Sequence, residues 1–169
     1  AEWLNTQRTN AWGRPVRIHA AGVDSRGHRG QQVREFVQRR DLKVKVYACQ
    51  GSTSRLGRAI ATSPRYPDKD KSGKSVKGGY AVWNIGTEFC KDYLYGHLVS
   101  DGALAVEDRR FRFPAGLPTE YFDGLLSEVY NPETKRYEQK KGARYKRNEP
   151  LDGMVGAWAI GQHKEVNIG

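Results

Sequence analysis

The sequence predicts an α/β domain in which helices flank a mixed central β-sheet. Three observations point there. β-rich apolar runs recur at VRIHAAGVD (16–24), LKVKVYACQG (42–51) and YAVWNIG (80–86). Stretches with helical spacing lie among them. No internal repeat or 18-residue apolar run suggests another architecture.

Residues 1–15 are polar with two tryptophans and read as a lead-in. Residues 16–165 read as a single domain, and 166–169 as a tail. VRIHAAGVD reads as a strand ending on Asp24, and SRGHRG after it is a turn. QQVREFVQRR places Val33, Phe36 and Val37 on one helical face, with a basic outer face. LKVKVYACQG alternates Leu42, Val44, Val46 and Ala48 with polar residues, as a strand does. Residues 51–79 are rich in Gly, Pro and Lys and read as a long mobile loop. YAVWNIG is the third strand. TEFCKDYLYGHLV is a helix with Thr87 as its N-cap. RRFRFP (109–114) reads as a short strand ended by proline. LPTEYFDGLLSE is a helix capped at Thr119, and EVYNPETKRYEQKK a hairpin turning at Asn131–Thr134. The last helix begins at Asn148 or Glu149.

The charge balance is 29 Lys+Arg against 19 Asp+Glu, a net of +10. Such a chain suits a polyanionic partner, most often nucleic acid. Its 37% apolar content is enough to fold. Cys49 and Cys90 form no CxxC pair, which argues against structural zinc and for buried free thiols. There is no P-loop and no signal peptide, so the expectation is an intracellular protein without a membrane partner and without its own ATPase motif. A start without Met reads as an excised or processed chain.

The segment RNEPLDGMVGAWAIGQHK (147–164) raises the question of function. Asn148 suits an N-cap and Pro150 the first helical turn. Glu149 and Asp152 lie i, i+3 on one face, where the helix dipole favours them by about 0.3–1 kcal/mol. Gly153 and Gly156 each cost about 1 kcal/mol in a helix interior, so close approach to the sheet is expected there. Leu151, Met154, Val155 and Trp158 form the buried stripe. Asp24 ends the first strand, and active sites of open α/β sheets lie beyond the carboxyl ends of strands. Three converging carboxylates repel unless a cation joins them. Hard divalent cations take oxygen ligands, and two of them can drive phosphodiester cleavage. The expected chemistry is a nuclease: a basic surround for the phosphates and an acidic pocket for the metal.

AGVDSRG, YAVWNIGTEFCKDYLYGHL and RNEPLDGMVGAWA together resemble the C-terminal nuclease domain of large terminase subunits of lambda-type tailed phages. The FP at 113–114 and LLSEV at 125–129 follow in order, so the likeness covers 16–162. It implies a ribonuclease H-like fold and a metal-dependent DNA endonuclease that cuts concatemeric viral DNA with two Mg²⁺ or Mn²⁺ ions. It implies Asp24 as the first-strand metal ligand, Asp152 as the acid of the final helix and Glu149 as its neighbour. Asn84 stands where a second acid is expected; its carbonyl can ligate but brings no charge. Glu88 is the nearest substitute, or else a capping partner of Thr87. Double-stranded DNA, a preceding ATPase domain, the small terminase subunit and the procapsid portal are the implied partners, in the cytoplasm of the infected bacterium.

Arg144, Lys146 and Arg147 lie beside the acids and are expected on the scissile phosphate. Arg55, Arg58, Lys74 and Lys77, with Lys69 and Lys71, are further DNA contacts or a solvated face. Lys91 reads as a snorkelling surface lysine or a cleft residue. His28 reads as a loop histidine, and Trp12, Trp83 and Trp158 as core. Two rival readings are a resolvase- or integrase-type nuclease on the same fold, and a non-catalytic nucleic-acid-binding module, which Asn84 favours.

Overall fold

In the computed structural model, the described residues are 1–26, 29–100, 111–142 and 147–166. A short helix α1 (Glu2–Asn5) and a two-stranded ribbon, β1 (Arg8–Thr9) with β2 (Pro15–Val16), precede the sheet. The central strands are β3 (Ala20–Asp24), β4 (Lys45–Gly51) and β5 (Val82–Ile85). They run parallel in the order β3-β4-β5. Helix α2 (Gly30–Val37) connects β3 to β4, and α3 (Thr87–Ser100) follows β5. Then come α4 (Thr119–Leu125), the antiparallel hairpin β6 (Glu128–Asn131) with β7 (Arg136–Gln139), and α5 (Glu149–Gly161).

The two faces of the sheet are covered by different helices. Val33 and Val37 of α2 pack against Ala48, Tyr80 and Val82. On the other face, Cys49, Trp83 and Ile85 join Cys90 and Leu94 of α3 and Leu151, Val155, Ala159 and Ile160 of α5. Burial on both sides explains why β5 reads VWNI, nearly apolar throughout. Both cysteines are free and buried, and burial pushes each thiol up to about 12.

Several expectations need correction. The three central strands are all parallel; among the described residues, antiparallel pairing in this sheet is confined to isolated bridges beside β5. There Ala61 N donates to Asn84 O at 2.9 Å, and Arg65 N and Val82 N exchange bonds with each other's carbonyls at 2.8 and 2.9 Å. The stretch read as a mobile loop is therefore anchored to the edge of β5 at two bridges, Ile60 to Ile85 and Arg65 to Val82, with Ala59 and Ile60 buried. Further on, Asp70 accepts from Ser72 N, Ser72 Oγ and Lys74 N, and Arg34 grips Asp68 with two 2.8 Å bonds. Of the strand expected at 109–114, residues 109 and 110 lie outside the described set. Residues 111–114 pair with no described strand; Phe111 and Phe113 pack on the core instead. A two-residue period specifies extended backbone but not a partner. Trp12 is 80% exposed rather than core. Thr119 opens α4 rather than capping it, and Gly86 supplies the first carbonyl bonded in α3, one residue before Thr87.

The glycines of α5 also differ from expectation. A Cβ at Gly153 or Gly156 would meet nothing within 4 Å. The close approach is on the sheet side: a Cβ at Gly22 would lie 2.9 Å from Ile160 Cγ1. At Gly86 it would lie 2.0 Å from the Arg58 carbonyl, where the sheet edge meets α3. Gly86→Ala is therefore expected to lower stability by about 1–3 kcal/mol, whereas Gly156→Ala should raise it by about 0.8–1 kcal/mol. Denaturant midpoints check both, and a stable Gly86→Ala would contradict this packing.

Candidate active site

Strand β3 delivers Asp24 to its carboxyl end. Beyond it the ladder continues, with Ser25 N and Oγ both bonded to Cys49 O at 2.7 and 2.8 Å. Asp24 Oδ1 accepts from Arg26 N at 2.9 Å. Side chains alternate along a strand, so Asp24 shares the face of Gly22, the one that α5 covers.

Helix α5 carries Asp152, near enough to Asp24 for the two charges to interact. It packs against β3, α3 and α4. The Asp152 carboxyl keeps an open side to solvent but is raised above its ordinary value. Partial burial is the main cause. The charge of Lys91 opposes it, while Glu128, Asp24 and Glu149 add to it. That set of influences outlines an acidic cluster with one cation set into it.

Glu128 and Lys91 form the buried part of this cluster. Lys91 is 5% exposed, and its Nζ donates to Glu128 Oε2 at 2.5 Å. Asn148 Nδ2 donates to the other oxygen, Oε1, at 2.8 Å. Glu128 is placed by α4: a Cβ at Gly124 would sit 2.9 Å from Pro150, so α4 ends tightly against the start of α5. Ser127 Oγ bonds Gly124 O at 2.8 Å, and Tyr95 OH bonds Leu125 O at 3.1 Å, fixing the turn that leads into β6.

Asn148 thus points to Glu128 and makes no side-chain cap on α5. Lys91 is not a snorkelling lysine; its ammonium is buried because a carboxylate meets it. Glu149 is outermost, with its carboxylate 3.7 Å from Arg147 Nε and both side chains mostly exposed. Glu88 accepts from Tyr137 N at 3.1 Å, tying α3 to the hairpin rather than capping the helix.

Asn84 is not brought to the acids. It alternates with Trp83 and Ile85, which places it with Val82 on the α2 face, and it accepts from Gln50 Nε2 at 2.8 Å. Of the expected phosphate contacts, Arg144 and Lys146 lie outside the described residues, as does His28. Arg147 is exposed beside the site. Arg55 is paired with Asp92 at 3.1 Å. Arg58 lines a groove between α3 and α5. Lys74 and Lys77 are exposed on the outer part of the 51–79 segment.

Among the described residues, no group of three or more His, Cys, Asp or Glu side chains stands close enough to hold a metal ion. Asp24, Asp152 and Glu128 are hard oxygen donors, the type a divalent cation takes, and both oxygens of Glu128 are engaged by Lys91 and Asn148.

Two outcomes follow. Because the folded protein holds Asp152 above its ordinary 3.8, folding binds protons more tightly there and stability falls as pH rises through that range. Asp152→Asn should raise the melting temperature at neutral pH, with the gain fading as pH drops through the raised pKa; a lower melting temperature at pH 7 would contradict it. Lys91→Met should cost about 3–5 kcal/mol by leaving the Glu128 carboxylate buried and unpaired. Pairing it with Glu128→Gln should recover part of that loss, measured in a double-mutant cycle.

One comparison with known proteins bears on the chain. The family described as terminase large subunit gpA, endonuclease domain, matches residues 1–168, taking in the polar lead-in as well as the acids. No curated protein and no solved structure matches significantly. The chain belongs to the endonuclease-domain family of the terminase large subunit gpA.

Proposed function

We propose that Asp24 and Asp152, with Glu128 and Lys91 beside them, form the hydrolytic centre of a divalent-metal-dependent DNA endonuclease that cuts concatemeric viral DNA during packaging. The observation that carries this reading is the family match over residues 1–168, joined by the packing of α5, which carries Asp152, against β3, which ends on Asp24. The parallel sheet with helices on both faces is compatible with a ribonuclease H-like fold, which we take as part of the proposal.

Asp24 and Asp152 would hold Mg²⁺ or Mn²⁺, with Glu128 or Glu149 nearby to complete a site for two ions. When bound, such ions supply Lewis-acid activation of water and neutralise charge on the phosphate. The chain's own residues do the rest. Lys91 fixes the Glu128 carboxylate and puts a positive charge at the base of the cluster. Asn148 orients the same carboxylate from α5. Exposed Arg147 would hold the phosphodiester backbone, and Arg144, Lys146, Lys74 and Lys77 would extend that contact along double-stranded DNA.

The implied partners are those of a packaging motor: an ATPase domain, the small terminase subunit and the procapsid portal, in the host cytoplasm. No helix among the described residues is long and apolar enough to cross a membrane. Family membership favours this reading over a resolvase. The non-catalytic alternative loses its main support, since Asn84 lies on the opposite face of the sheet from Asp24.

Supercoiled-plasmid nicking tests the proposal. Cleavage should require Mg²⁺ or Mn²⁺ and stop with chelator. Asp24→Asn and Asp152→Asn should each lower the rate by about 100-fold or more, a loss of roughly 3 kcal/mol in transition-state stabilisation. Full activity in both variants would remove the mechanism, and binding without cleavage by the native chain would favour a binding module.

A further inference from the structure

The helices that carry the acidic cluster also wall a groove of about 540 Å³. It runs between α3, α5 and the sheet-edge segment, and its lining includes Arg58, Phe89, Tyr93, Trp158, His163 and Lys164. Phe89 and Tyr93 lie i, i+4 on α3 and face the same way. They stack on Trp158 of α5: Tyr93 at 4.3 Å and 20°, Phe89 at 6.2 Å and 27°. Packing does not explain their exposure, since Phe89 and Tyr93 remain 37% and 38% exposed. An outward aromatic row of this kind marks a contact surface.

The charges of the groove indicate what it contacts. Arg58 and Lys164 line it, and no carboxylate does. At one wall stands His163, 1% exposed and packed edge-on to Trp83 at 4.3 Å. Its Nδ1 accepts from Glu165 N at 3.2 Å, which puts the imidazole proton on Nε2. That Nε2 is buried and has no hydrogen-bond partner among the described residues. Aromatic faces and two cations, in a groove that no carboxylate lines, match a nucleotide, which offers a flat ring and phosphates. An apolar helix from a protein partner would use the rings but not the cations.

We infer that this groove receives one unstacked base of the DNA, its ring against Phe89 and Tyr93 and its flanking phosphates against Arg58 and Lys164. The inference rests on the DNA-cleaving reading above and adds to it a position outside the hydrolytic centre where strand separation is read. Base–aromatic contacts tolerate any sequence, because every base presents a π-face.

Fluorescence anisotropy without divalent ions tests it, using labelled single-stranded oligothymidine and an abasic strand of equal length and charge. The native chain should bind oligothymidine about ten-fold or more tightly than the abasic strand. Tyr93→Leu and Phe89→Leu keep apolar bulk while removing the ring, and each should weaken oligothymidine binding about five-fold or more while leaving abasic binding unchanged. Equal affinity of the native chain for both strands would overturn the inference, and that comparison stands even if a variant fails to fold. Unchanged affinity in both folded variants, the result expected of a protein-docking groove, would overturn it as well. Plasmid nicking and anisotropy of the native chain and of Asp152→Asn separate the two proposals: loss of cleavage by Asp152→Asn with base-dependent binding intact supports both, and base-dependent binding by a native chain that never cleaves removes only the hydrolytic centre.

Discussion

Helix α5 lies so close to β3 that position 22 has no room for a side chain, with Ile160 Cγ1 2.9 Å from where a Cβ would be. Much else follows from that contact. It sets α5 across the face of the sheet that Cys49, Trp83 and Ile85 share with Leu151, Val155 and Ala159. The first turn of α5, at the other end of the helix from Ile160, carries Asp152. Asp152 then feels the charge of Asp24, although 128 residues of sequence separate them. The same helix start, pressed on Gly124 by Pro150, holds Asn148 against Glu128.

The Lys91–Glu128 pair is an unusual choice for stability alone. Burying two charges costs several kcal/mol per ion, and well-packed apolar residues of similar volume often do as well or better. Here the pair is nearly inaccessible, with side chains 7% and 9% exposed, and it sits beside an acid that burial has raised. A fixed ammonium in an acidic pocket limits the repulsion among carboxylates before any other cation arrives. Placing it on α3 and its partner on β6 also ties the hairpin to the helical layer, a link reinforced by Glu88 with Tyr137 N and by Tyr137 OH with Asp92.

The order of strands and helices and the ends on which Asp24 and Asp152 sit were legible in the sequence, and the misses have physical causes. Asp24 and Asp152 stood out because each falls where one element ends or begins, and such positions show in local patterning. Glu128 did not, because its burial depends on α4 closing against Pro150, a tertiary contact with no local signal. Lys91 looked like any lysine on an amphipathic helix until its partner was known. Asn84 was misassigned because VWNI is covered on both faces, so apolar alternation carries no sign of which face meets α5. Residues 51–79 were taken for a loop because their turn residues dominate the composition. The signal for a sheet edge was only the apolar run Ala59–Ile60–Ala61, too short to outweigh them. Gly153 and Gly156 announced a close approach that occurs instead at Gly22, the partner strand's own glycine.

The central claim is that Asp24 and Asp152 converge so that their carboxylates share a divalent cation. A crystal of this domain grown with Mn²⁺ and measured at the manganese absorption edge addresses it most directly. The account predicts an anomalous peak between these two side chains, with carboxylate oxygens at about 2.0–2.3 Å. Manganese bound elsewhere, with Asp24 and Asp152 left apart and ligating nothing, would contradict it.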